Sequence, residues 1–489
     1  MSAFDQLSAL LREKHLYATA AATLGWDQET FLPENGVPHR AAQLSLLAGK
    51  VHQLGSNDDY RRALEAAEEE ALPEQAANLR ELRHHFERTT RIPQQLVERD
   101  SETSSLAKAA WAKARRDNDF DAFAPHLENL LAIAREKADR WGYPDEPYTA
   151  LLAGYERGTT TTEVVTLFDS LRNDLVAVAA EAVASSQHIP GDLLHGPAPI
   201  DKQQTLNREI AKSLGFDFTS GRIDTTTHPF CTTLGPKDVR LTTRYDENDF
   251  ASSLFGVLHE AGHGLYEQGL PASEAHLPSG DSVSLGIHES QSRLWENHVG
   301  RSRPFWEKWL PRAQECFPHL RAIALDDFLA AINRSQYSFV RVEADEATYD
   351  LHILLRFELE RQLLRGELAV KDVPEAWNSR FTELFGMTPE NDAEGCLQDI
   401  HWSMGGLGYF PTYSLGNLNA AQLFHTARQE PAIASALAKA DYQPLLAWLR
   451  ETIHARGATL LPQDLMTTAT GRPTEGSDYL AHLRQRFAQ

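Results

Sequence analysis

Two histidines and a glutamate packed into five residues, His259-Glu260-Ala261-Gly262-His263, have the types and spacing for metal-assisted hydrolysis. Residues four apart on an α-helix share a face, so the two imidazoles can present nitrogens to one divalent cation. Glu260, between them, is then free to take a proton from a water held by that cation. A catalytic zinc needs a third protein ligand and an open fourth position. Glu289, in Gly286-Ile287-His288-Glu289-Ser290-Gln291, is the strongest candidate, following a Gly/Pro/Ser-rich loop from Gly269 to Asp281. His288 competes for the role. Neighbouring residues on a helix point about 100° apart, so one metal is expected to take only one of the two.

These residues need elements to hold them. Phe250, Leu254, Phe255, Val257, Leu258 and Leu265 recur at close to helical period around the motif. Asp249 or Asn248 suits the start as a cap, and Gly269 followed by Pro271 ends the pattern. Gly262 and Gly264 each cost a helix roughly 1 kcal/mol against Ala, so their presence points to close approach by another backbone or a ligand. A second helix from Ser282 to about His298 folds Glu289 back over the histidine pair. Just upstream, Arg222 to Thr227 and Val239 to Tyr245 are rich in Thr and β-branched residues, with Gly235-Pro236-Lys237-Asp238 as a turn. They predict a β-hairpin, or two strands of a small sheet, beside the active site. An exposed edge there suits main-chain pairing with an extended peptide.

Most of the remaining chain reads as helix. Candidates are Leu64 to Glu70, Gln75 to Thr89, Phe120 to Trp141, Asp326 to Asn333, Phe339 to Arg365, Val373 to Phe385, Ala420 to Arg428 and Tyr442 to Ala455. Thr160-Thr161-Thr162-Glu163 has the form of a capping box opening a further helix. No repeat, low-complexity linker or sharp change of composition divides the chain. The expectation is a mostly α protein, with residues 1–489 forming a single large catalytic body.

A net charge of -22 argues against nucleic acid and against an anionic membrane surface as partners. No apolar run reaches membrane-spanning length. Met1 to Trp26 lacks the basic start and long apolar core of a signal peptide. Three cysteines, Cys231, Cys316 and Cys396, stand far apart and suit a reducing cytoplasm rather than a disulfide framework. Their expected role is as small buried residues.

Further motifs follow one another along the chain. They include Leu24-Gly25-Trp26-Asp27-Gln28, Tyr155-Glu156-Arg157-Gly158, His228-Pro229-Phe230, Asp238-Val239-Arg240-Leu241-Thr242 and His288-Glu289-Ser290-Gln291. Beyond these come Arg341-Val342-Glu343-Ala344-Asp345, Gly395-Cys396-Leu397-Gln398-Asp399-Ile400-His401-Trp402 and Gly408-Tyr409-Phe410-Pro411-Thr412-Tyr413. With the HEAGH stretch, this order resembles the carboxypeptidase Taq family of zinc-dependent metallocarboxypeptidases over nearly the whole chain. The resemblance implies a helical, saddle-like fold with a deep central groove closed at one end, usually as a homodimer. It also implies removal of single amino acids from peptide C-termini with broad side-chain tolerance. An endopeptidase or dipeptidyl carboxypeptidase on the same scaffold is the rival reading, because zinc chemistry does not separate them.

On this reading His259, His263 and Glu289 bind zinc, with cobalt as the alternative metal, and Glu260 is the general base. The free carboxylate of a peptide end calls for an arginine fork. Arg341 is the first choice, on a helix with Asp345 and Tyr349 at i+4 and i+8. Arg240 is the second, in a strand and pointing away from Val239 and Leu241. The resemblance makes Tyr409 the first candidate to stabilise the developing oxyanion, with His228 and His401 as further donors. Tyr413 and Gln398 are further substrate contacts. Asp399 is expected to fix the His401 tautomer, and Trp402 and Phe230 to pack.

Overall fold

A computed structural model describes residues 2–487, which are predominantly helical with one small three-stranded sheet. They form two compact units built from interleaved segments. The first contains residues 2–89, 191–332 and 420–473, and the second 90–190, 333–419 and 474–487. No helix among the described residues is long and apolar enough to cross a membrane.

In the first unit the core runs along the motif helix Phe250–Gly269. Its start is fixed by Asp249, whose Oδ1 accepts from the backbone N–H of Ala251 at 2.9 Å and of Ser252 at 3.2 Å. Leu254, Leu258, Ala261 and Leu265 are fully buried against a core that includes Trp295, Phe305 and Trp306. Burying each large side chain contributes roughly 1.5–3 kcal/mol, and this anchors the helix against its two glycines. A Cβ on Gly262 would stand 2.5 Å from the Gln291 carbonyl oxygen and 2.6 Å from the Ser292 Cα. The close backbone approach expected of that glycine is therefore made by the return helix, Leu285–Arg293. That helix begins three residues later than the expected Ser282, because the Ser284 Oγ accepts from the Ile287 N–H and caps it there. It continues into a π-helical turn, Leu294–Val299.

Of the two arrangements expected, the small sheet is the one formed, not a simple hairpin. The two strands read from sequence are present as β1 (Gly221–Thr225) and β3 (Asp238–Thr243), but they pair in parallel. A strand missed in the sequence, β2 (Cys231–Gly235), supplies the antiparallel partner on the other side of β3. The turn at Pro236-Lys237 explains the pairing: it is too short to reverse the chain onto anything but the strand just before it, and Lys237 adopts φ 64° to close it.

The second unit packs Tyr148, Phe168 and Phe357 edge to face, and stacks Phe381 on Phe385. Helices Phe120–Trp141 and Val373–Phe385 and the Thr160 capping box fall where the sequence places them. The helix expected from Phe339 instead begins at Tyr349. Asp345 interrupts it, its carboxylate accepting from Ser335 Oγ, the Gln336 and Ala347 N–H groups and Thr348 Oγ1. The helix expected from Ala420 begins earlier, at Pro411, whose ring suits the first helical turn.

Candidate metal centre and arginine cluster

His259 and His263 lie on one face of the motif helix, and Glu289 reaches them from the return helix. One ligand atom from each lies within 4.8 Å of the others. The Glu289 Oε2 stands 3.7 Å from the His259 Nε2 and 3.4 Å from the His263 Nε2. Ligands held about 2.0–2.2 Å from a tetrahedral ion stand roughly 3.3–3.6 Å apart, so two nitrogens and an oxygen at these separations fit zinc.

Electrostatics supports the same fit. Burial alone would discharge His259, but the carboxylates of Glu289 and Glu296 outweigh it and raise its pKa to about 9. Burial and the neighbouring His288 hold His263 neutral, with its pKa lowered to about 4. Burial also works against a charge on Glu289, yet Arg293 and the two imidazoles keep it well below the ordinary carboxylate value. The pocket thus holds an anionic oxygen and a site for positive charge, which a divalent cation fills by displacing a proton. Glu260, only 6 % exposed, is pushed up to about 7 chiefly by burial. That places it close to the range in which a general base works.

Each ligand is backed by another side chain. The His259 Nδ1 lies 2.9 Å from a Glu296 oxygen. The His263 Nδ1 lies 2.5 Å from the His288 Nδ1, and the His288 Nε2 lies 2.8 Å from Glu267. Arg293 Nε donates to the Glu289 Oε1 at 2.7 Å, leaving Oε2 toward the imidazoles.

The second unit gathers a different set. Asp399 accepts from Arg341 through Nε at 3.0 Å and Nη2 at 2.8 Å, and from Arg356 Nε at 2.6 Å. Arg341 also donates to the Tyr349 hydroxyl at 2.7 Å. The Gln398 side-chain Oε1 accepts from the Arg341 backbone N–H at 2.8 Å and from Arg356 Nη2 at 2.6 Å. Two guanidiniums thus share one carboxylate. Despite burial, those arginines hold Asp399 well below the usual carboxylate range. His401, lowered by burial to about 4, is neutral beside them.

The sequence profile of the Carboxypeptidase Taq (M32) metallopeptidase family matches residues 6–487. The chain belongs to this family. It is 41 % identical to thermostable carboxypeptidase 1 of Thermus thermophilus, over 100 % of this chain and 98 % of that one. It is 36 % identical to carboxypeptidase 1 of Bacillus subtilis, covering 98 % of this chain and 97 % of the relative. The crystal structure of the M32 carboxypeptidase from Deinococcus radiodurans superposes with a TM-score of 0.96 at 38 % identity, covering 99 % of each chain. Membership and the three-ligand centre together make this chain a metal-dependent carboxypeptidase acting on peptides.

Within this M32 fold the predicted site residues divide between the units. His259, Glu260, His263, Glu289, His228 and Arg240 lie in the first, and Arg341, Gln398, His401, Tyr409 and Tyr413 in the second. His228 is exposed in the connection from β1 to β2. Arg240 does alternate with buried Val239 and Leu241, but it forms a two-pronged pair with Asp238 and covers the Trp26 ring at 4.1 Å. That gives the upstream Trp26 motif a packing role. Arg341 pairs with Asp399, while Asp345, four residues on, is engaged in ending the preceding loop. Gln398 turns its amide nitrogen to the carbonyls of Phe339, Glu394 and Gly395, so both ends of the amide bind the chain itself. Asp399 does not hold His401, which stands 3.8 Å away; the His401 Nε2 instead lies 3.4 Å from the Tyr413 hydroxyl. Tyr409 and Tyr413 meet edge to face, with His401 against both. Burial pushes the thiols of Cys231 and Cys396 up, which disfavours thiolate chemistry at either.

Sequence reading missed Glu267, Glu296 and Arg356. The first two were within reach. Glu267 continues the stripe of His259 and His263 by one more turn, and Glu296 follows Glu289 at i+7.

Proposed function

We propose that the chain releases single amino acids from the C-termini of peptides, with broad side-chain tolerance, and that His259, His263 and Glu289 hold its zinc. The observation that carries this reading is the tetrahedral spacing of the Glu289 Oε2 and the two imidazole nitrogens, 3.4 and 3.7 Å. Zinc, or cobalt in its place, would supply Lewis-acid chemistry when bound by these three residues, acidifying a water and polarising a scissile carbonyl. Glu260, on the same helix and nearly buried, takes the water's proton and returns it to the leaving amine. Tyr409 hydrogen-bonds the developing oxyanion, with His228 and His401 as further donors.

Arg341 receives the peptide's terminal carboxylate. Two guanidiniums facing one carboxylate leave a unit of positive charge in the Arg341, Arg356 and Asp399 cluster, which supports that role over Arg240. Gln398 acts by aligning both arginines, and Tyr413 by lining the same cluster, where it lies 5.0 Å from the Arg341 guanidinium. The whole chain, residues 1–489, works as one catalytic domain, as a homodimer. Three free cysteines support a reducing cytoplasm, and the charge of -22 supports a partner set without nucleic acid. Digestion of a hexapeptide tests the reading. Free amino acids appearing one by one from the C-terminus, and none from the amidated peptide, are expected. Internal fragments or released dipeptides refute it.

A further inference from the structure

The two ligand histidines are supported differently. His259 meets a carboxylate directly, whereas His263 meets another imidazole. With the His263 Nε2 given over to a metal beside Glu289, its Nδ1 must carry the ring proton and donate it to the His288 Nδ1, 2.5 Å away. His288 must then accept at Nδ1 and bear its own proton on Nε2, which points at the Glu267 Oε1 2.8 Å away. The other Glu267 oxygen accepts from Thr233 Oγ1 on β2 at 2.6 Å. Among the proton arrangements that satisfy the contacts in the row, this is the one that leaves the His263 Nε2 lone pair bare for a cation.

The row ends at a cavity of about 390 Å³, lined by Glu267 and Thr233 together with His15, Asp281 and Arg450. All of these residues belong to the first unit.

We propose that His288, Glu267 and Thr233 form a brace that fixes His263 in its metal-binding tautomer, and that the Glu267 end of the brace is open to small anions through the cavity. His288, read from the sequence as a rival ligand, is thereby a positioning residue. This inference rests on the assignment of His263 as a metal ligand.

The test is the rate at which zinc-loaded protein surrenders its metal to excess chelator. Outer partners of a metal-bound histidine change affinity by about 10–100-fold, so Glu267→Ala and His288→Leu should each release zinc about that much faster than the wild type. His288→Asn, which keeps an acceptor near the Nδ1 position, should fall between His288→Leu and the wild type. Formate, entering by the cavity, should slow release from Glu267→Ala while leaving the wild type and His288→Leu unchanged. Should the zinc-free Glu267→Ala protein melt below the zinc-free wild type, Thr233→Val supplies the milder variant, with release several-fold faster expected. His263→Ala separates the two readings. If it holds zinc like the wild type, the ligand assignment fails. If it loses zinc while His288→Leu and Glu267→Ala release at the wild-type rate, the brace is overturned. Absence of formate rescue overturns the open end.

Discussion

The metal centre and the arginine cluster solve opposite problems with buried charge. In the first, His259, His263 and Glu289 turn their ligand atoms toward one point, and each is backed from behind. In the second, Arg341, Arg356, Asp399 and Gln398 turn toward one another. A centre built for a cation keeps its lone pairs free and uses its neighbours to aim them. The arginine cluster holds two guanidiniums in place with one carboxylate, the excess of positive charge on which its proposed role as a carboxylate receptor rests. Buried ion pairs contribute little net stability, but removing one partner leaves an uncompensated charge at considerable cost.

Breaking the two centres should therefore give different signatures. The largest effect is expected from Glu260→Gln, which should lower kcat by about 10²–10⁴-fold with zinc content unchanged, as read by steady-state kinetics and metal analysis. Asp399→Asn comes next. It strands two buried guanidiniums, and about 3–5 kcal/mol of stability should be lost in denaturant titrations, with zinc still bound at the other centre.

The same carboxylate gives a pH signature. Its folded pKa lies below the unfolded value of about 3.9, so its contribution is present above that pH and fades as acid protonates it. Melting temperature should fall below about pH 4 in the wild type, and Asp399→Asn should lack that part of the fall.

Arg341→Ala is milder, because Asp399 keeps Arg356. It should raise KM for peptides with free C-termini by about 10-fold or more with zinc content intact, the loss expected for a charge-assisted hydrogen bond. The smallest effect belongs to Gly262→Ala. The new methyl meets the backbone of Gln291 and Ser292, costing about 1–3 kcal/mol, against which alanine returns about 1 kcal/mol of helix propensity. A slightly lower melting temperature and faster zinc loss are expected together, because the contact pushes away the helix that carries Glu289.

The same contrast explains what could be read from the sequence. His259 and His263 share one helix, where a four-residue spacing fixes their geometry, and Gly262 announced the neighbouring backbone. The arginine cluster draws on three separated segments, around Arg341, Arg356 and Asp399, and no local period links them. Arg341 stood out with the help of the resemblance, but the helix expected around it runs through Asp345, a residue that ends a loop, and nothing local pointed to its pairing with Asp399. The sheet was half legible for a similar reason. β-branched residues marked β1 and β3, but β2 begins just after Pro229 and Phe230 and carries little alternation to announce it.

Anomalous diffraction at the zinc edge, from crystals of the zinc-loaded protein, tests the central claim most directly. The expected result is one peak about 2.0–2.2 Å from the Nε2 atoms of His259 and His263 and from a Glu289 oxygen, with a fourth position left to solvent. A peak bound through His288 instead of Glu289, or one away from both histidines, would contradict it.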